Sequence, residues 1–190
     1  VVVQGDTTTA FVGALAAFHC SIPLVHVEAG LRTNDTSSPF PEEANRQLIS
    51  RLASYHFAPT ETAKLNLLSE NIGEHSISVV GNTVIDLLFE CQKRFKKIKL
   101  PRGLDRFLSQ SKTGQKSRLI LVTAHRRESF GRGIDNICTA ISRLAAIYPT
   151  DKVIFPVHKN PRVLGPVHER LGSIENVLLC EPLDYLKFIQ

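Results

Sequence analysis

Asp6, Glu28 and Glu42 are the residues from which a chemistry can be built. Asp6 closes the strand-like run that begins Val1-Val2-Val3, and Glu28 closes a second one, Ile22 to Val27. Glu42 opens a helix behind the doubly proline-locked segment Ser38-Pro39-Phe40-Pro41. An acid in a first helical turn complements the helix dipole, and the ionised form favoured there suits a carboxylate held ready as a general base. A second constellation, Ala124 to Gly133, sets His125, Arg126, Arg127 and Arg132 among two glycines between a strand and a helix. Donors converging on a helix N-terminus make an anion site, and phosphate is the guest that fits. His158 ends a later strand and Asn82 follows an earlier one. Each residue also has a plain structural reading. Asp6 suits a helix N-cap, Glu28 suits an ion pair with Arg32, and the arginine-rich loop suits pairing with Glu128.

The elements that must position these residues alternate. Strand patterns cover Val1–Val3, Ile22–Glu28, His56–Ala58, Ile77–Val80, Leu119–Thr123, Lys152–Val157 and Val177–Leu179. Helical patterns cover Ala10–His19, Glu42–Tyr55, a segment capped by Thr60, Thr83–Lys96, Gly133–Ile147 and the stretch near Pro166–Leu171. In the second of these, Ala44, Leu48, Leu52 and Tyr55 recur at helical spacing and predict the buried face. Leu119–Thr123 is wholly apolar and predicts a strand buried on both faces of a parallel sheet. Such alternation gives an α/β class with two Rossmann-like parallel sheets. Residues 1–100 are expected to form part of a first domain, 101–117 a linker containing Pro101, Gly103 and Gly114, and 118–190 part of a second. In open parallel sheets ligands bind beyond the carboxyl ends of the strands, where Asp6, Glu28, Asn82, His125 and His158 all fall.

Composition narrows the partners. The net charge of +5 over 190 residues favours anionic ligands. The basic run Arg94–Lys99 lacks the aromatic interleaving of a nucleic-acid surface and reads as a solvated helix end. No apolar run approaches the ~20 residues of a membrane span. Cys20, Cys91, Cys138 and Cys180 are widely spaced, which fits reduced thiols in a cytoplasmic protein and disfavours a zinc site. The chain contains no Met and starts inside a strand pattern, so it is expected to be a fragment of something longer.

Six segments occur in order along the chain: GDTTT (5–9), HVEAGLRT (26–33), PEEANR (41–46), VVGNTVID (79–86), TAHRRESFGRG (123–133) and PVHKNP (156–161). Together they resemble the non-hydrolysing UDP-N-acetylglucosamine 2-epimerases. The resemblance implies a glycosyltransferase-B-like fold of two domains, with UDP-GlcNAc and UDP-ManNAc interconverted through elimination of UDP to 2-acetamidoglucal and its re-addition. It further implies that Asp6, Glu28 and Glu42 are the acid/base carboxylates and that His125 lies near the diphosphate. Arg126, His158 and Asn82 match substrate contacts, and Glu42 and Arg126 also match positions near an activating second UDP-GlcNAc. It implies a homodimer, no metal and no cofactor. The family's Gly-Thr-Arg-Pro-Glu loop is expected before residue 1, and its Asp-Ser-Gly-Gly and Gln-Glu-Glu segment after Gln190, so the fragment alone is not expected to turn over. A hydrolysing epimerase that releases ManNAc, a glycosyltransferase of the same fold and a non-catalytic nucleotide-sugar binder are the competing readings.

Overall fold

In a computed structural model the described residues are 1–94, 98–109, 117–124, 126 and 129–190. They divide into two compact units, Val1–Glu90 and Cys91–Gln190. In the first unit, strands β1 (Val2–Gln4), β2 (Val25–Val27), β3 (Tyr55–Ala58) and β4 (Ile77–Val79) form one parallel sheet in sequence order. Helices α1 (Thr8–His19), α2 (Glu42–Leu52) and α3 (Glu61–Ser69) connect them. Right-handed crossovers between strands laid down in consecutive order place the connecting helices on one face. Side chains that alternate toward that face are buried: Val3, His26, His56, Ala58 and Ile77. The opposite face holds Val2, Tyr55 and Phe57, all exposed. α1 buries Ala10, Ala14 and Ala17, small side chains at helical spacing that let it lie close against Val3, Leu24 and Ile49. α3 buries Ala63 and Leu67 against Ala29, Ala58 and Ile77. α4 (Thr83–Arg94) crosses from this unit into the next.

Both start signals are resolved in favour of threonine. Thr7 Oγ1 accepts the Ala10 N–H at 3.1 Å, and Thr60 Oγ1 accepts the Ala63 N–H at 3.1 Å. Thr7, not Asp6, therefore caps α1, and the carboxylate of Asp6 is not consumed by the helix end. Thr7→Ala is expected to lower unfolding stability by about 1 kcal/mol, read as a shift in the urea midpoint followed by circular dichroism.

The second unit begins with α4's last turn and α5 (Arg102–Ser109), a helix lying within the stretch expected to be a linker. Strands β5 (Leu119–Leu121), β6 (Lys152–Pro156) and β7 (Val177–Cys180) form a second parallel sheet in sequence order. α6 (Arg132–Ile147) and α7 (Pro161–Leu171) connect them, and α8 (Tyr185–Phe188) follows β7. One core joins Ile134, Cys138, Ile141 and Ala145 of α6 to Val153 and Phe155 of β6 and to Val163, Val167 and Leu171 of α7.

Three expectations are corrected. β5 is not buried on both faces: Leu119 and Leu121 are 55% and 46% exposed, because the helices cover the face that carries Ile120. α2 ends at Leu52, Leu48 is exposed, and Tyr55 belongs to β3; the buried face holds Glu43, Asn45, Arg46, Ile49 and Ser50. Along α4, Val84 and Leu87 are exposed and Cys91 alone among its described residues is buried. The basic run expected to end this helix includes residues 95–97, which lie outside the described residues.

Candidate active site

The chain leaves β1 through Gly5, whose φ of +73° is open to glycine at little cost. Strand β2 holds this turn from both sides. The Gly5 N–H donates to the Val27 carbonyl at 3.0 Å, and His26 Nε2–H donates to the Gly5 carbonyl at 2.8 Å. Asp6 then projects from the sheet end, partly exposed. Asn45 Nδ2 of α2 donates to the Asp6 carbonyl at 2.9 Å, and Arg46 Nη2 lies 3.4 Å from Asp6 Oδ2. Glu28 follows β2 with a φ of +68°, a backbone region that costs a non-glycine residue of order 1–3 kcal/mol and persists where the surroundings enforce it. Its carboxylate lies against Gly5, with Oε2 3.9 Å from where a Cβ would stand there. Two sequence-expected acids thus flank one glycine at adjacent strand ends.

Glu28 does not pair with Arg32. Arg32 instead reaches Glu70 through Nε at 2.5 Å and Nη2 at 3.0 Å, and Ser50 through Nη2 at 3.0 Å. This two-pronged ion pair is sunk beneath the segment between β2 and α2 and ties it to the end of α3. The same segment is fastened to α2 by Glu43, a fully buried acid. Its Oε2 accepts the Thr33 N–H at 3.0 Å, and its Oε1 accepts the Asn34 N–H at 3.2 Å and Gln47 Nε2–H at 2.8 Å. Arg46 Nε sits 3.3 Å from Glu43 Oε2, so Arg46 bridges Glu43 and Asp6. Burial pushes the Glu43 carboxyl upward, but the hydrogen bonds from Gln47, Thr33 and Asn34 and the charge of Arg46 outweigh it, and the net shift is downward. Glu42, one position earlier, is partly exposed in the first turn.

Asn82 sits after β4, where its Oδ1 accepts the Val84 N–H at 3.1 Å and so helps start α4. In the second unit, Arg126 is exposed and α6 opens behind Gly131, whose φ is +71°. His125, with Arg127 and Glu128, lies outside the described residues. His158 follows β6, and its Nδ1 accepts the Asn160 N–H at 3.1 Å, which places the proton of the neutral ring on Nε2. Asn160 in turn caps α7, accepting the Arg162 N–H at 3.0 Å. His158 lines an open hollow of about 390 Å³ with Thr123, Pro156, Pro182 and Phe188, at the carboxyl ends of β5, β6 and β7.

Four site-building residues escaped the sequence reading: His26, Glu43, Arg46 and Glu70. The spacing of Glu43 to Arg46 and Gln47, three and four residues on, was a readable helix-face signal. His26, between Val25 and Val27, was marked only by strand alternation. Burial lowers His26 from 6.5 to about 4; the Gly5 carbonyl opposes this, while the charges of His56 on β3 and Arg32 add to it. Between those two values the unfolded chain holds the proton and the folded chain does not, so stability falls as pH is lowered through the window. The full loss is on the order of 3 kcal/mol, and it is expected as a falling urea midpoint between pH 6.5 and 4 that flattens in His26→Gln.

The family model described as UDP-N-acetylglucosamine 2-epimerase matches residues 1–190, the whole chain. The chain belongs to the UDP-N-acetylglucosamine 2-epimerase family. The curated UDP-N-acetylglucosamine 2-epimerase of Salmonella typhimurium is 51% identical over 193 residues, and the match covers 100% of this chain and 50% of that protein. That of Escherichia coli is 48% identical with the same coverage. A crystal structure of the Neisseria meningitidis 2-epimerase bound to UDP-GlcNAc superimposes with a TM-score of 0.87 at 48% identity, over 100% of this chain and 50% of that one. A 2-epimerase from Methanocaldococcus jannaschii, solved in complex with UDP-GlcNAc and UDP, matches with a TM-score of 0.78 at 38% identity, over 99% of this chain and 51% of that one. The chain spans about half the length of the curated relatives it matches. Its mixed α/β class with parallel sheets is that of these glycosyltransferase-B-like epimerases.

Proposed function

We propose that the protein carrying this chain interconverts UDP-GlcNAc and UDP-ManNAc. The observation that carries the reading is the pairing of Asp6 and Glu28 around Gly5 at adjacent strand ends of an epimerase-family chain. The C2 proton of the sugar is weakly acidic, so its removal needs a positioned base, and inversion needs an acid on the other face. Asp6, Glu28 and Glu42 supply these roles. In the forward half-reaction a carboxylate takes the C2 proton, the C1–O bond to UDP breaks, and a C1–C2 double bond forms in 2-acetamidoglucal. In the return half the C1–O bond reforms and a proton is delivered to the opposite face of C2. Donors must stabilise the departing diphosphate, and His125, Arg126 and His158 are placed in sequence to do so, with Asn82 at the sugar-nucleotide side. Glu42 and Arg126 also serve a second, activating UDP-GlcNAc. The reading extends to a homodimer in the cytoplasm that uses no cofactor.

The test is a chimera in which this chain replaces the matched half of the Salmonella typhimurium relative. Incubated with UDP-GlcNAc in heavy water, it is expected to form UDP-ManNAc and to place deuterium at C2 of both sugars, followed by NMR. Free ManNAc as the product would assign hydrolysis instead, and binding without exchange would leave only a nucleotide-sugar binder.

A further inference from the structure

We infer that His26 is a positioning residue for Asp6, acting through the Gly5 carbonyl; this rests on the epimerase reading above. The geometry isolates one contact. His26 is fully buried, and its Nε2–H reaches the Gly5 oxygen at 2.8 Å. Its Nδ1 has no hydrogen-bond partner among the described residues, so the ring's single bond is the one to that carbonyl. A carbonyl can only accept, which fixes the neutral tautomer with hydrogen on Nε2. Gly5 lacks a side chain and sits at φ +73°, so its peptide with Asp6 has little local resistance to rotation. The His26 bond therefore supplies a restraint that glycine does not. Rotation of that peptide would swing Asp6 away from the Glu28 carboxylate packed beside Gly5.

This mode of action differs from stabilising the core. A displaced base loses reactivity while the bound substrate keeps its other contacts, so the effect falls on turnover. Glutamine extends an amide N–H about as far as histidine Nε2, whereas the asparagine amide stops short and methionine offers no donor.

The experiment places His26→Met, His26→Asn and His26→Gln in the chimera. His26→Met and His26→Asn are expected to lower kcat by roughly 10–100-fold with KM changed less than about threefold. His26→Gln is expected to recover kcat to within about fivefold of the parent, as a restored donor requires. Should His26→Met fail to fold, the Asn–Gln pair carries the comparison. Equal kcat in the Asn and Gln variants, or a loss that appears in KM alone, overturns the inference. An activity-independent reading keeps the two claims apart: the Gly5 carbonyl and Asp6 amide resonances shift in His26→Met and return in His26→Gln. If the parent chimera shows no C2 exchange while these resonances respond, the epimerase reading fails and the anchoring of Asp6 stands. If exchange is present and they do not respond, the anchoring fails.

Discussion

Asp6→Asn in the chimera is expected to cut the turnover of UDP-GlcNAc by roughly 10²–10⁴-fold, the range lost when a positioned acid or base is removed. Asparagine keeps the shape of the side chain, and the backbone anchors do not involve the carboxylate. The Gly5 carbonyl still receives His26, and the Asp6 carbonyl still receives Asn45. The ion pair to Arg46 is lost, but at 3.4 Å with Asp6 30% exposed it is screened by solvent and contributes no more than about 1 kcal/mol. Activity and stability should therefore separate: C2 deuterium exchange collapses while the thermal midpoint moves by only a few degrees. Exchange at the parent rate would remove Asp6 from the chemistry.

Gly30→Ala is the change expected to harm folding most. Gly30 follows Glu28 and Ala29 with φ +86°, and its carbonyl accepts Asn66 Nδ2–H at 2.9 Å. A Cβ there would stand 2.2 Å from the Ala63 carbonyl oxygen and 2.8 Å from its carbon, both backbone atoms of α3. No side-chain rotation can relieve that overlap, so β2's exit and α3 must separate. The positive φ adds about 1–2 kcal/mol for an L-residue, and overpacking of this kind adds about 1–3 kcal/mol or more. A total near 3 kcal/mol lowers the melting temperature of a unit this size by at least ~12 °C. Scanning calorimetry or circular dichroism on heating checks it, and an unchanged midpoint would mean that α3 does not approach Gly30 as described.

What sequence could deliver, and what it could not, follows from these same residues. The alternation of strands and helices was legible because each element carries its own period, and the strand-end placement of Asp6 and Glu28 was legible because both acids close apolar strand patterns. Thr7 as cap was foreshadowed by the run of hydroxyls. The partner of Arg32 was not legible: Glu70 lies 38 residues away, and only the docking of α3 beside β2 brings it near. Leu119–Leu121 is apolar enough for a doubly covered strand, yet which face is covered depends on strand order, which no local pattern encodes. The inner face of α2 was mistaken because it is polar. Glu43, Asn45, Arg46 and Ser50 point inward to serve backbone and side-chain polar groups, while the conspicuous Leu48 points out.

The adjacent acids Glu42 and Glu43 show how finely that inward turn is set. Successive residues on a helix diverge by about 100°, so two identical side chains on consecutive α-carbons meet opposite surroundings. One is a rivet, sealed from water and saturated by four donor groups; the other is partly exposed. Deleting a single residue between Thr33 and Pro41 would favour a slip of α2 that draws Ala44 into the socket of Glu43 and Glu43 into the place of Glu42. The rivet would then lose its socket, and the Thr33 and Asn34 N–H groups would be left facing a methyl group. Spacing in that short stretch is thus under tighter constraint than the identity of most residues within it.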